Sequence, residues 1–273
     1  MIPAAFDYVR ADSAEAAIAA LAEHGDEAKL LAGGMSLIPL MKLRLARPAV
    51  LVDIGRLGDL SYIRDGGDHV AIGALTRHRD VETSDLLAAE CGVVRAVAAQ
   101  VGDNQVRHRG TIGGSVAHGD PASDLPAALL ALDATFVVAG GSGTREIAAG
   151  DFFEGFLETA LDEGELLTEI RVPKAGANGF DYQKFNRRAQ DWAIVGAVTA
   201  TVNGAKRVAL VNMGSTPVRA TAVESALASG ASIADAAQLA ADGTEPTADL
   251  NASVEYREHL ARVLVRRSLE AAS

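Results

Sequence analysis

Alanine and leucine recur at helical spacing over residues 13–24, behind Ser13 and with Glu15 in the first turn, which predicts an N-capped amphipathic helix. The short apolar run 29–32 stops at Gly33-Gly34 and reads as a strand. Residues 36–45 read as a short helical or irregular segment ending near Pro48, and 50–54 as a second strand, so the first 55 or so residues suggest a βαβ-like unit. Beyond it, 70–74 predicts a strand, 76–87 a capped helix and 89–101 a helix rich in alanine and valine. Apolar periodicity then lapses over 102–125, where glycines mix with Asp, Asn, Arg and His; this predicts a loop whose backbone has a task. A helix at 127–132 and strands at 135–139, 144–147 and 166–172 follow.

Pro, Lys, Gly and Asn gather at 173–179, the position of a domain boundary. Past it the pattern predicts strands at 180–186, 193–203 and 206–213, then helices at 221–228, 232–241 and 255–267. Strands first and helices afterwards describe an antiparallel α+β layer pair. The expected division is a domain of residues 1–175, with subdomains of about 1–55 and 56–175, and a smaller one of 176–273.

Composition narrows the function. Hydrophobic residues make up 49% and charged residues 22% of the 273, and no apolar run reaches the roughly 18 residues of a membrane span, so a soluble protein without an integral membrane segment is expected. The N-terminus lacks a basic region followed by an apolar one, which points to the cytoplasm. A net charge of −11 with scattered Lys and Arg disfavours nucleic acid as a partner. Cys91 is the single cysteine, so this chain alone holds no disulfide and no all-cysteine cluster; it reads as a helix packing residue.

Two glycine pairs stand out, Ala32-Gly33-Gly34-Met35-Ser36-Leu37 and, eighty residues on, Thr111-Ile112-Gly113-Gly114-Ser115. Paired glycines let backbone approach a bulky anion, and two such loops can grip the two phosphates of a dinucleotide; singly, each is also an ordinary turn. Rival motifs fail on inspection. Neither Gly33-Gly34 nor Gly141-Ser142-Gly143 completes the Rossmann fingerprint, no glycine run ends in Gly-Lys-Ser/Thr, and Ala117 stands where a nucleophile elbow needs its last glycine. His108 and His118 lack zinc-ligand spacing.

The stretch 29–46, KLLAGGMSLIPLMKLRLA, resembles the first flavin loop of the medium subunits of the carbon monoxide dehydrogenase and xanthine dehydrogenase family. Gln105-Val106-Arg107, Gly110-Thr111-Ile112-Gly113-Gly114-Ser115, His118-Gly119-Asp120-Pro121 and Ser123-Asp124-Leu125-Pro126 resemble its second loop in order and spacing. The likeness extends through Ile72-Gly73-Ala74-Leu75-Thr76 with His78, the run 165–170, Lys184 with Arg187-Arg188, and Pro217-Val218-Arg219-Ala220. The resemblance implies an α+β fold: a two-part FAD-binding domain of the vanillyl-alcohol-oxidase type, then a small C-terminal domain with an antiparallel sheet and helices.

It also implies noncovalent FAD, since no His or Cys stands in a flavinylation context. The implied cofactor-binding residues are Lys29, Leu31, Ala32, Gly33, Gly34, Met35, Ser36 and Leu37 in the first loop, with Gly102, Thr111, Gly113, Gly114, Ser115, His118, Ser123, Asp124, Leu167, Lys184 and Trp192. Both glycine loops are expected to aim backbone donors at the FAD pyrophosphate. Asp124 is expected at the adenosine end, or else as a surface helix cap; Lys184 close to the flavin, or else as a solvated strand-edge charge. Trp192 is expected beside the isoalloxazine, or else in the core or an interface, and His78 is expected to hydrogen-bond within the fold.

By the same resemblance the chain is a flavoprotein oxidoreductase subunit without catalytic or metal-ligating residues of its own. A molybdenum-binding large subunit oxidises the substrate, an iron–sulfur small subunit carries electrons on two-iron, two-sulfur clusters, and FAD passes them to an external acceptor, in a dimer of heterotrimers. A self-contained FAD oxidase would need a larger substrate domain than the C-terminal hundred residues, and a flavin-free assembly subunit would not need intact glycine loops. The single cysteine disfavours the benzoyl-CoA-reductase branch.

Overall fold

The computed structural model describes residues 1–273. Its first sheet is parallel, with β1 (Asp7–Arg10), β2 (Ala28–Leu31) and β3 (Val50–Asp53) in the order β1-β3-β2. Helix α1 (Ala14–His24) packs on β2 and β3, burying Ala17, Ala20 and Leu21 beside Val50 and Val52. Ser13 starts it by accepting a hydrogen bond from the Ala16 N–H at 3.1 Å. The short α2 (Leu37–Lys42) follows the first glycine pair. Strand β1 has no sequence signature: its residues, exposed except for the half-buried Val9, are extended because they pair with β3.

The chain then forms β4 (Ile63–Asp65) and β5 (His69–Gly73), six helices, and the hairpin β6 (Thr135–Gly140) with β7 (Gly143–Ala148). The helices are α3 (His78–Thr83), α4 (Asp85–Glu90), α5 (Gly92–Ala98), α6 (Asn104–Arg109), α7 (Ile112–His118) and α8 (Asp124–Ala131). After α9 (Ala149–Phe152) and the small pair β8 (Phe153–Gly155) and β9 (Glu158–Thr159), β10 (Leu166–Pro173) returns to the centre of an antiparallel sheet ordered β4-β5-β10-β6-β7.

Two expectations are corrected here. The segment 102–125 is not a loop: Asp103 accepts from the Val106 N–H at 2.9 Å and Thr111 from the Gly114 N–H at 3.1 Å, and these two caps start α6 and α7 without any apolar periodicity. The single helix predicted at 76–87 is two, because Ser84 leaves helical geometry and caps the next turn through the Leu87 N–H at 3.2 Å.

The third sheet is antiparallel, β11 (Asp181–Phe185), β12 (Val195–Val202), β13 (Ala205–Val211) and β14 (Val218–Arg219) in that order. Helices α10 (Thr221–Ala228), α11 (Ile233–Ala237) and α12 (Val254–Ala271) complete the chain. Along β12 and β13 the faces alternate. Val195, Ala197, Val208 and Leu210 join the core around α12, whereas Val198, Ala200, Ala209 and Val211 join the core that holds α5 and α8. Burial on both faces explains the unbroken apolar runs of these strands. No helix is long and apolar enough to cross a membrane.

Candidate functional site

The two glycine pairs meet. Leaving β2, the chain passes Gly33 directly over the backbone of Arg109 and Gly110, where a β-carbon would lie 2.2 Å from the Arg109 carbonyl oxygen. Gly34 then takes φ 75°, a left-handed conformation that an L side chain resists. The second pair opens α7 under the end of β5. There the Ile112 N–H donates to Thr76 O at 3.0 Å and the Gly113 N–H to Ala74 O at 2.9 Å, and a β-carbon on Gly113 would come within 2.5 Å of that of Ala74. Glycine at 33 and 113 is thus a packing requirement. Together the loops wall one side of a cavity of about 770 Å³.

Their donors differ. The N–H groups of Gly33, Gly34, Met35, Ser36 and Leu37 have no hydrogen-bond acceptor within the chain, five in succession. Such a run forms a concave anion cradle, and its donor set fits a pyrophosphate. At the second loop the expectation of free backbone donors is corrected: besides Gly113, the Gly114 N–H is bound to Thr111 Oγ1 at 3.1 Å and the Ser115 N–H to Thr111 O at 3.1 Å. Thr111, Gly113, Gly114 and Ser115 of this loop all line the cavity, and the Ser115 hydroxyl is the side-chain donor the loop can offer there.

A buried charge pair closes another part of the wall. Lys184 Nζ lies 2.8 Å from Asp124 Oδ2, with side chains only 4% and 5% exposed, and donates also to Gln100 O at 3.0 Å; the Tyr182 hydroxyl donates to Asp124 Oδ1 at 2.5 Å. Burial pushes the Asp124 pKa up while Lys184 and Tyr182 pull it down, and burial beside Asp124 drives the Tyr182 phenol well above its ordinary value. Asp124 is therefore no surface cap and Lys184 no solvated edge charge. Because the two touch, whatever part of a ligand lies against one of them lies beside the other as well. Removing one partner of such a pair leaves a buried charge at a cost of about 3–5 kcal/mol.

Trp192, on the connection between β11 and β12, is 54% exposed at the cavity mouth, which removes it from the core. Of the predicted residues only Leu31 stays off the cavity wall; its carbonyl accepts from the Ile54 N–H at 3.0 Å inside the parallel sheet. His118 ends α7, where burial lowers its pKa. His78 hydrogen-bonds within the fold as expected, its Nε2 3.2 Å from Ser115 Oγ, yet it also reaches the cavity. Leu157, Glu158 and Thr159 join the lining from the β8–β9 hairpin, and Asp162 to Glu165 from the turn before β10. Apart from Glu165, which opens the run 165–170, neither segment has a motif that announces it.

Residues 4–175 match the family model described as the FAD binding domain in molybdopterin dehydrogenase, and residues 180–272 match the CO dehydrogenase flavoprotein C-terminal domain. The chain is 42% identical to the carbon monoxide dehydrogenase medium chain of Hydrogenophaga pseudoflava, covering 100% of this chain and 98% of that one. It is 40% identical to the 6-hydroxypseudooxynicotine dehydrogenase complex subunit alpha of Paenarthrobacter nicotinovorans, covering 100% and 96%. It superposes on a chain of the Hydrogenophaga pseudoflava carbon monoxide dehydrogenase that lacks the Mo-pyranopterin moiety with a TM-score of 0.96, at 41% identity over 100% of this chain and 98% of that one.

Proposed function

The chain belongs to the family of FAD-binding subunits of carbon monoxide dehydrogenase-type molybdopterin dehydrogenases, and on that premise we propose that it is the electron relay of a cytoplasmic, heteromeric molybdenum hydroxylase. It is an FAD-binding oxidoreductase subunit. Its partners in the proposal are a molybdenum-binding large subunit and an iron–sulfur small subunit, in a dimer of heterotrimers, with the primary substrate oxidised on the large one. Comparable identity to subunits named for carbon monoxide and for 6-hydroxypseudooxynicotine supports this, because a chain without a primary-substrate pocket has no reason to follow the substrate. We divide the chain into units of 1–175 and 176–273, in keeping with family matches that meet between 175 and 180.

When bound, FAD supplies the link between one-electron carriers and an external acceptor. The residues proposed to hold it divide the work. The amides of Gly33 to Leu37 neutralise pyrophosphate charge, Ser115 adds a hydroxyl donor from the facing loop, Asp124 keeps Lys184 as a fixed cation on the wall, and Trp192 covers the mouth, where an indole stacks on a planar ring and limits solvent. The observation that carries the reading is the run of five free amides on a loop that lines the same cavity as Lys184 and Trp192. Purified chain should carry about one FAD per polypeptide and release all of it on acid precipitation. Yellow colour retained on the washed pellet would refute noncovalent binding, and failure to bind FAD would refute the reading altogether.

A further inference from the structure

His78 is held from several sides. It is the first residue of α3, its ring is buried, and its backbone N–H donates to Gly110 O at 3.0 Å. Gly110 packs on the ring so closely that a β-carbon there would lie 2.7 Å from Cδ2. Nε2 faces Ser115 Oγ at 3.2 Å, and Nδ1 has no partner. Burial, with Arg107 and Arg77 nearby, pushes the ring's pKa down to about 4, so at neutral pH it carries one N–H. If that proton sits on Nδ1, Nε2 accepts from Ser115 and draws the serine proton away from the cavity. If it sits on Nε2, the ring donates to Ser115 Oγ and the hydroxyl proton is free to point outward. Each tautomer leaves one buried nitrogen unmatched, so burial does not choose between them. An anion in the cavity does, because a hydroxyl donating to a phosphate oxygen forms a charge-assisted bond about twice as strong as a neutral one.

We infer that His78 is a positioning residue of the cofactor site, donating from Nε2 to Ser115 Oγ so that the serine hydroxyl donates to a phosphate oxygen of FAD. The inference rests on the reading that this loop meets the pyrophosphate. A double-mutant cycle on FAD affinity, followed by flavin fluorescence in the full chain, separates the two. Ser115→Ala should weaken FAD binding roughly tenfold or more, His78→Phe comparably, and the double variant no further than either alone. His78→Gln, whose amide N–H reaches the same position, should bind FAD close to the wild type. Unchanged affinity in Ser115→Ala would remove the loop from the phosphates and sink the underlying reading. Losses that multiply in the double variant, or wild-type affinity in His78→Phe, would leave the loop in place and overturn the role of His78. Independently of how the variants fold, ¹⁵N shifts of His78 in the FAD-loaded chain should show Nε2 protonated, and protonation at Nδ1 would overturn the inference.

Discussion

Gly33, Gly113 and Gly114 share a motif, yet their surroundings set them different tasks. Gly33 and Gly113 leave no room for a β-carbon against backbone, whereas Gly114 meets only the Thr111 hydroxyl, at 2.7 Å, and otherwise borders the cavity. Gly114→Asp should thus leave the loops joined while breaking the cap and placing a carboxylate where a phosphate belongs. The expected result is loss of FAD binding from a folded chain; normal flavin occupancy would take Gly114 out of the site. His78 also makes stability depend on pH. Unfolded, it takes a proton near pH 6.5; folded, not until about 4. Its contribution is therefore complete above pH 6.5 and is lost as pH falls from there toward 4, by about 2 kcal/mol at pH 5. Thermal melts of the FAD-free chain at pH 7 and 5 should show His78→Gln losing less stability than the wild type; equal losses would mean that the ring is not held neutral.

Among the elements, the strands were readable because apolar runs such as 50–54 and 70–74 are bounded by turn residues, and β3 and β5 lie there. The failures have local causes. Helices α6 and α7 arise from the caps of Asp103 and Thr111, and β1 from pairing alone; no hydrophobic period signals either. Both glycine loops were recognisable from their motifs, and all the predicted site residues but Leu31 line the cavity, whereas the β8–β9 hairpin joins it with no motif to announce it. Which amides stay free, and that Asp124 touches Lys184 sixty residues away, depends on contacts between distant elements. The connection between β11 and β12 tests the site at this scale. Trp192, the chain's single tryptophan, should lose most of its fluorescence when FAD is added. Unchanged emission in protein shown to be flavin-loaded would place the indole away from the flavin.

In the whole molecule the C-terminal sheet is buried between α12 on one face and the α5–α8 core on the other, which sets Lys184, on β11, against the same cavity as the glycine loops. That arrangement builds one cavity from both parts of the chain and fits a single cofactor held between partners. In the proposed relay, electrons reach this flavin only through other subunits. It is tested by mixing the FAD-loaded chain anaerobically with carbon monoxide, a purine, an aldehyde or an N-heterocycle and following the flavin absorbance. No bleaching by any of them is expected until the molybdenum and iron–sulfur subunits are added, and then bleaching by the substrate of that complex. Bleaching of the isolated chain by one of these compounds, at the rate of the assembled complex, would contradict the relay and make the chain a self-contained oxidase.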